Sequence, residues 1–249
     1  MPTWLEAGLW GLVGGGALVV GALIAWLVPV PSKVVASVMA FGSGVLISAV
    51  AFDLMAEAEE TGGLPATALG FLGGAVVYLA ADLALARRGA RHRKRSGDQQ
   101  PSEDEQSGSG AAIAVGALLD GVPESVVLGL GLVGGGPVSL SVLAAVFISN
   151  IPEGLSSAAG MKRSGRSARY VFGVWGAIAL ASGLSALLGY ALLGGAAPQL
   201  VAVITAVAAG AILTMIADTM IPEAFENTHA WTGLITAAGF LTAFAISVA

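Results

Sequence analysis

Carboxylates inside apolar stretches are the side chains of this sequence best suited to do chemistry. Asp120 and Glu124 lie four residues apart in one largely apolar run, and Glu153 follows Pro152 in another. A spacing of four places Asp120 and Glu124 on one face of a helix. A charged side chain surrounded by hydrocarbon is costly and is by default a functional candidate. These acids are therefore candidate ligands for a cation.

Two prolines add oxygen atoms to this cluster. A proline inside a helix frees the carbonyl one turn earlier, which here belongs to Leu119 and Ile148. The Gly-Gly-Gly-Pro turn at 134–137 is short, so the two runs are expected to form antiparallel helices whose polar faces meet. Cation binding is then predicted at Asp120, Glu124, Asn150 and Glu153. The alternative is that these acids are protonated and hydrogen-bonded between helices.

The composition indicates a membrane protein. Of the 249 residues, 56% are hydrophobic and only 11% are charged, whereas roughly a quarter are charged in soluble domains. This excludes an ordinary soluble enzyme. The net charge of −5 argues against a nucleic-acid partner, and the lack of cysteine excludes a thiolate metal site. The expected surroundings are a lipid bilayer.

Eight apolar runs are each long enough to cross a bilayer, which takes about 20 residues. We therefore predict a single all-α transmembrane domain over residues 1–249, with eight helices. The runs lie at 7–30, 34–57, 64–86, 111–133, 138–160, 170–195, 198–221 and 231–249.

The basic residues predict the orientation. All 11 Lys and Arg lie in the loops after the first, third and fifth runs. Cytoplasmic loops of membrane proteins retain Lys and Arg, so these three loops are expected in the cytoplasm. Both termini are then expected on the extracytoplasmic side of a cell membrane. No basic residue precedes Lys33, which favours a retained first helix over a cleaved signal sequence. The polar stretch 87–109 is predicted to be a disordered cytoplasmic loop. No Lys or Arg lies inside a predicted span to pair with the acids at membrane depth, and Asp82, close to Arg87 and Arg88, is expected to be their structural partner.

A second set of acids suggests an internal repeat. The segments 52–58 and 217–224 share an acidic pattern with one residue inserted, and their helices are expected to point in opposite directions. Such a pattern is typical of an inverted-topology repeat, here arranged as 3+2+3 helices, although so short a match also arises by chance. It would place one acidic cluster near each membrane face, for entry and exit of an ion: Asp53, Glu57, Asp218 and Glu223.

At these motifs the chain resembles the ZIP (Zrt/Irt-like) family of divalent-metal transporters. The fifth-helix motif His-Asn-x-Pro-Glu-Gly appears as Ser-Asn-Ile-Pro-Glu-Gly at 149–154, and its fourth-helix counterpart as Asp-Gly-Val-Pro-Glu-Ser at 120–125. The seventh-helix pattern appears as Asp-Thr-Met-Ile-Pro-Glu at 218–223. The resemblance implies a central metal site on helices four and five, elevator-like alternating access and a homodimer.

The departures from the family motifs fall on ligand positions. Asp120 stands where the family has histidine, and Ser149 stands where it has histidine or glutamine. Gly121 stands where the family has asparagine, and Ala186 stands where it has a bridging glutamate. We therefore expect one central ion rather than two, with Ser149 as a weaker ligand beside the four above. An all-oxygen site suits magnesium or manganese, while the resemblance implies zinc or iron. No prosthetic cofactor is expected.

Two other functions were weighed against transport. A transport-inactive relative could act as a metal-sensing or interaction subunit, and the missing histidines favour it. An intramembrane hydrolase would need a nucleophile with a base or a histidine-bearing zinc site, and both histidines lie outside the predicted spans. We therefore do not expect an enzyme.

Overall fold

The fold was taken from a computed structural model, which describes residues 1–133 and 138–248. These residues form helices and turns and contain no strand, so the predicted all-α class is confirmed. The turn predicted at 134–137 lies outside the described residues. The α-helices are α1 Thr3–Leu27, α2 Ser32–Ala49, α3 Met55–Gly62, α4 Leu64–Leu85, α5 Ser109–Leu130, α6 Leu140–Arg163, α7 Ala168–Leu193, α8 Pro198–Met215, α9 Ile221–Thr228 and α10 Thr232–Ser247.

Seven helical stretches of the described residues are long and apolar enough to cross a membrane, which makes this a multi-pass membrane protein. The last stretch, Pro198–Ser247, has 50 residues. As one straight helix it would be about 75 Å long, more than twice the thickness of a bilayer core. Its backbone leaves the helical conformation at His229, where φ is 43° and ψ is −118°. The sequence predicted two separate spans in this stretch.

The apolar surface of the bundle fits a lipid environment. Along α4, five aliphatic side chains are each more than 60% exposed: Leu64, Leu69, Leu72, Val76 and Val77. The opposite face of α4 carries Gly70, Gly74 and Tyr78, which are buried against the rest of the protein. This helix therefore presents hydrocarbon outward and small or polar groups inward, as expected when the surrounding solvent is lipid.

Two stretches share one succession of elements. In each, an α-helix of 18 residues runs into a π-helical segment of five residues and then into an α-helix of eight. The π-helical segments are Val50–Leu54, which contains Asp53, and Ile216–Met220, which contains Asp218. Glu57 and Glu223 are each the third residue of the short helix that follows. The stretches that share an acidic motif therefore share a secondary structure as well.

Glycines allow the helices to cross with their backbones in contact. Where α2 crosses α10, a β-carbon on Gly44 or on Gly239 would overlap a carbonyl oxygen of the other helix. The same reciprocal arrangement joins α4 to α8 through Gly74 and Gly210. Small residues at such crossings bring transmembrane helices close enough for extensive van der Waals contact. Much of the chain's high glycine content is used in this way.

The two carboxylate-bearing helices lie inside this framework. Helix α5 packs mainly against α7, and α6 packs mainly against α1 and α2. Both helices continue through their prolines, Pro123 and Pro152. The predicted break at each proline is therefore absent from these two described helices, although a proline still leaves one carbonyl without its backbone donor.

A pair of adjacent glycines in α4 tests the close crossing with α8. Gly74→Ala should destabilise the protein by about 1–3 kcal/mol, because the new methyl group would collide with the Val207 carbonyl. Gly73→Ala is the matched control, since a β-carbon there meets no described atom within 4 Å. Thermal unfolding in detergent measures both. Equal melting temperatures for the two variants would contradict the crossing.

Candidate cation site

The three predicted carboxylates lie together at the centre of the bundle. Asp120 and Glu124 on α5 and Glu153 on α6 are each at most 4% exposed. Glu124 is close enough to Glu153 and Asp120 to interact with both electrostatically. The structure therefore brings together, from two helices, the acids that the sequence singled out.

Arg93 holds Asp120 in this cluster. Its Nε and Nη2 donate hydrogen bonds of 2.9 and 2.8 Å to the two carboxylate oxygens of Asp120. Its Nη1 donates to Asp82 over 2.6 Å, and its Nη2 donates to the Tyr78 hydroxyl over 2.8 Å. The Tyr78 hydroxyl in turn donates to Asp120. Paired donors of this kind match a carboxylate in geometry as well as charge.

The Arg93 side chain is only 1% exposed, yet its surroundings keep it charged. Burial alone would lower the pKa of this guanidinium, but Asp120, Tyr78 and Asp82 raise that pKa well above its ordinary value. Asp120 and Asp82 therefore face a permanent positive charge.

Lys94 contacts the carboxylates from the same side. Its ammonium nitrogen lies 2.8 Å from Glu153 Oε2 and 3.4 Å from Asp120 Oδ2. The side chain is 5% exposed. These two carboxylates are the close polar contacts of Lys94 Nζ among the described residues. The Lys94 ammonium is therefore held mainly by electrostatic attraction, whereas the Arg93 guanidinium is also oriented by several hydrogen bonds.

These contacts correct two expectations. The carboxylates at membrane depth were expected to be unpaired, since no Lys or Arg lies inside a predicted span, but Arg93 and Lys94 reach Asp120 and Glu153 from the connection between α4 and α5. Asp82 does have a basic partner, as expected, but that partner is Arg93 rather than Arg87 or Arg88. The signal that sequence reasoning missed is the charge balance: several buried acids need cations, and this connection holds the nearest ones.

The first half of the connection is packed against the helices. The backbone N–H and the hydroxyl of Ser96 donate to Glu223 Oε1 over 3.0 and 2.8 Å. Gln100 Nε2 donates to the carbonyl of Ser157 on α6 over 3.1 Å, and the Ser156 hydroxyl donates to the Lys94 carbonyl. Residues 93–100 are therefore held against the helices by hydrogen bonds, and we call them the inserted segment.

The second half of the connection is also tied to the bundle. Glu103 accepts hydrogen bonds from the backbone N–H groups of Gly108 and Gly110 and from Arg166. These contacts, the two from the backbone first, lower the pKa of the Glu103 carboxyl below its ordinary value. The carboxylate therefore stays ionised and fixes the entry to α5.

Ser149 and Asn150, the other predicted ligands, are engaged elsewhere. The Ser149 hydroxyl donates to the Val146 carbonyl over 3.0 Å, within α6. The Asn150 amide donates to the Gly14 carbonyl of α1, also over 3.0 Å. Within residues 1–133 and 138–248, no three acidic or histidine side chains are grouped in a way that could hold a metal ion. The predicted ligand set is thus not preformed, and its metal-binding role stays a prediction.

Glu124 is the most available carboxylate. Neither of its oxygens, nor Glu153 Oε1, accepts a hydrogen bond from any described residue. Leaving a buried polar group without a partner is costly, and such exceptions need an explanation. An incoming cation would supply the missing partner.

The acids predicted for entry and exit lie at opposite ends of α4. Near its first residues, Asp53 and Glu57 line a cavity of about 290 Å³ that also touches Val127, one turn beyond Glu124 on α5. Asp53 accepts hydrogen bonds from Ser141 and Ser247. At the other end, Asp218 is exposed, while Glu223 is buried under the inserted segment.

The buried arginine gives a test of this network. Arg93→Met should destabilise the protein by about 3–5 kcal/mol, because it leaves Asp82 without its cation and Asp120 with Lys94 alone. Arg91→Met is the control, since Arg91 is exposed. The free energy of unfolding in detergent measures both. If the two variants are equally stable, Arg93 does not hold the network.

No family model matches the chain, and no curated protein matches it either. The interpretation of the site therefore depends on its residues and their geometry.

Proposed function

We propose that this protein transports a divalent cation across a cell membrane into the cytoplasm, with Glu124 and Glu153 as its essential ligands. One observation supports this most directly. A cluster of buried carboxylates lies in the middle of a multi-pass bundle, and both oxygens of Glu124 lack a hydrogen-bond partner among the described residues. Intramembrane acids of this kind typically mark an ion pathway.

The proposed topology has eight crossings, with the long stretch Pro198–Ser247 crossing twice through its break at His229. Both termini lie outside, and the basic residues lie in the cytoplasm. In this orientation the inserted segment enters from the cytoplasmic side, and the cavity lined by Asp53 and Glu57 opens outside.

A 3+2+3 inverted repeat is part of the proposal. It is supported by the shared succession of 18, five and eight residues around Asp53 and Asp218. It is also supported by the glycine crossings, because Gly44 and Gly210 each lie 12 residues after the first residue of their helix (44 − 32 and 210 − 198). Transporters built from such repeats expose one central site alternately to each side.

The acids define a route for the ion. A cation entering the outer cavity would meet Asp53 and Glu57, and then the Glu124 carboxylate one turn below Val127. From Glu124 it would pass to Glu153 and leave past Glu223. Each step offers carboxylate oxygens, which suit hard divalent cations. An elevator-like movement of α5 and α6, within a homodimer, would carry the ion between the two ends.

The substrate is expected to be zinc, iron or manganese, with magnesium as a further candidate. This follows from the resemblance to ZIP transporters together with a ligand set of oxygens alone. Zinc accepts carboxylates and ranks high in raw affinity, while manganese and magnesium match oxygen donors better. The pattern of competing ions in transport measurements distinguishes these candidates.

The ion pairs of Arg93 and Lys94 favour one alternative function. Since they already compensate Asp120 and Glu153, the protein could be a transport-inactive relative that serves as a metal-sensing or interaction subunit. Metal binding without any flux would support this alternative.

Uptake into proteoliposomes tests the proposal. Purified protein should accumulate at least one of Zn²⁺, Fe²⁺, Mn²⁺ and Mg²⁺ above the level of protein-free liposomes. The double substitution Glu124→Gln and Glu153→Gln should abolish this uptake, because it removes the two anionic ligands while preserving their size. Glu59→Gln is the control, since Glu59 is exposed on α3. Full uptake by the double variant would disprove the site assignment.

A further inference from the structure

We infer that Lys94 is a tethered competitor of the transported ion: its ammonium group and a divalent cation occupy the same carboxylates in turn. This inference rests on the proposed transport function. It adds a specificity-determining residue that lies outside the predicted ligand set. It would make the affinity and the charge selectivity of the site depend on a side chain of the loop between α4 and α5.

The first argument is the overlap of positions. Lys94 Nζ lies 2.8 Å from Glu153 Oε2 and 3.4 Å from Asp120 Oδ2. A divalent metal bound to Glu153 would lie roughly 2.0–2.6 Å from an oxygen of the carboxylate group that Lys94 contacts. Two cations at these positions would repel each other strongly in an interior of low dielectric constant. The ammonium must therefore leave when the metal binds.

The second argument is that Lys94 can leave while its neighbour stays. Arg93 is fixed by hydrogen bonds to Asp120, Asp82 and Tyr78. Among the described residues the Lys94 ammonium has close polar contacts with Glu153 and Asp120 alone, and its four-carbon stem is flexible. Arg93 can thus stay bound to Asp120 while the Lys94 head group swings away and the contacts of the residues that follow Lys94 loosen.

The third argument concerns which ions can displace the ammonium. Because Lys94 is part of the chain, its effective concentration at the carboxylates is high. A sodium or potassium ion carries the same single charge and gains no electrostatic advantage over it. A divalent cation doubles the attraction to Glu153 and Glu124. Lys94 thereby excludes monovalent ions from the site.

Removing the ammonium group tests the competition. Lys94→Met in the full-length protein should bind Mn²⁺ at least about tenfold more tightly than the unsubstituted protein does. This factor is expected if Lys94 occupies the site in at least about nine of ten unsubstituted molecules, because only the remaining molecules can bind the metal. Lys94→Gln is a second variant that retains a polar side chain. Lys33→Met is the matched control, because it removes the same charge from an exposed position. Equilibrium binding of Mn²⁺ to purified protein measures all four.

Monovalent ions provide a second measurement. Sodium at high concentration should compete with Mn²⁺ in Lys94→Met more strongly than in the unsubstituted protein, at matched ionic strength set with a bulky organic cation. Equal competition in both proteins would overturn the selectivity part of the inference.

Displacement of Lys94 can also be observed directly. The chain has no cysteine, so Ser96→Cys introduces a single thiol at a position that is 2% exposed. Mn²⁺ should accelerate its reaction with a water-soluble maleimide, because release of Lys94 loosens the inserted segment. Asp98→Cys, at an exposed position, should react at the same rate with or without Mn²⁺.

The outcomes separate this inference from the proposed function. Tighter binding by Lys94→Met together with Mn²⁺-dependent labelling of Ser96→Cys supports the inference. Mn²⁺ binding that is unchanged or weakened in both Lys94 variants overturns it and leaves the proposed transport standing. Failure of every protein to bind Mn²⁺, Zn²⁺, Fe²⁺ or Mg²⁺ contradicts the proposed function, and the inference with it.

Discussion

The cost of placing carboxylate charge inside an apolar bundle determines how the centre of this protein is built. Asp120, Glu124 and Glu153 are all buried, and no aliphatic neighbour can stabilise them. The structure meets this constraint by drawing Arg93 and Lys94 inward from a polar connection, although such a connection would gain more hydration by staying outside. Tyr78 and Asp82 on α4 are then needed to satisfy the remaining donors of Arg93. Four separate parts of the chain, α4, the inserted segment, α5 and α6, are thereby organised around one group of charges.

Hydropathy and charge bias were sufficient to predict the helical class, the multi-pass character and the region of the chain that holds the acids. Each of these depends on local composition or on spacing along one helix, as with Asp120 and Glu124. The partners of the acids were not predictable in the same way. Residues 87–109 have the composition of a solvated loop, and only the packing against Ser156, Ser157 and Glu223 shows that polar side chains of its first half are buried: Arg93, Lys94, Ser96 and Gln100. Sequence rules assign such a segment by its average polarity, whereas its position is decided by buried acids distant in the chain.

The side-chain directions within α6 illustrate a second limit. Ser149 and Asn150 lie within one turn of Glu153, so helical spacing alone suggested a common ligand set. In the structure the backbone carbonyls of Val146 and Gly14 engage them instead. A hydroxyl or amide group binds whichever acceptor lies nearest, and the nearest acceptor depends on how closely α1 approaches α6. That approach is set by glycines such as Gly21, which contacts the backbone of α6, and neither feature belongs to the acidic motif.

The two π-helical segments place their aspartates differently. Glu57 and Glu223 occupy equivalent places in their short helices, but Asp53 is the fourth residue of its π-helical segment and Asp218 is the third. Consecutive residues of a helix point in different directions around its axis. Asp53 accordingly faces inward, where it accepts hydrogen bonds from two serines, while Asp218 is exposed. Two ends built from the same succession of elements therefore differ chemically: an ion carried as proposed would meet a hydrogen-bonded carboxylate at one end and an exposed one at the other.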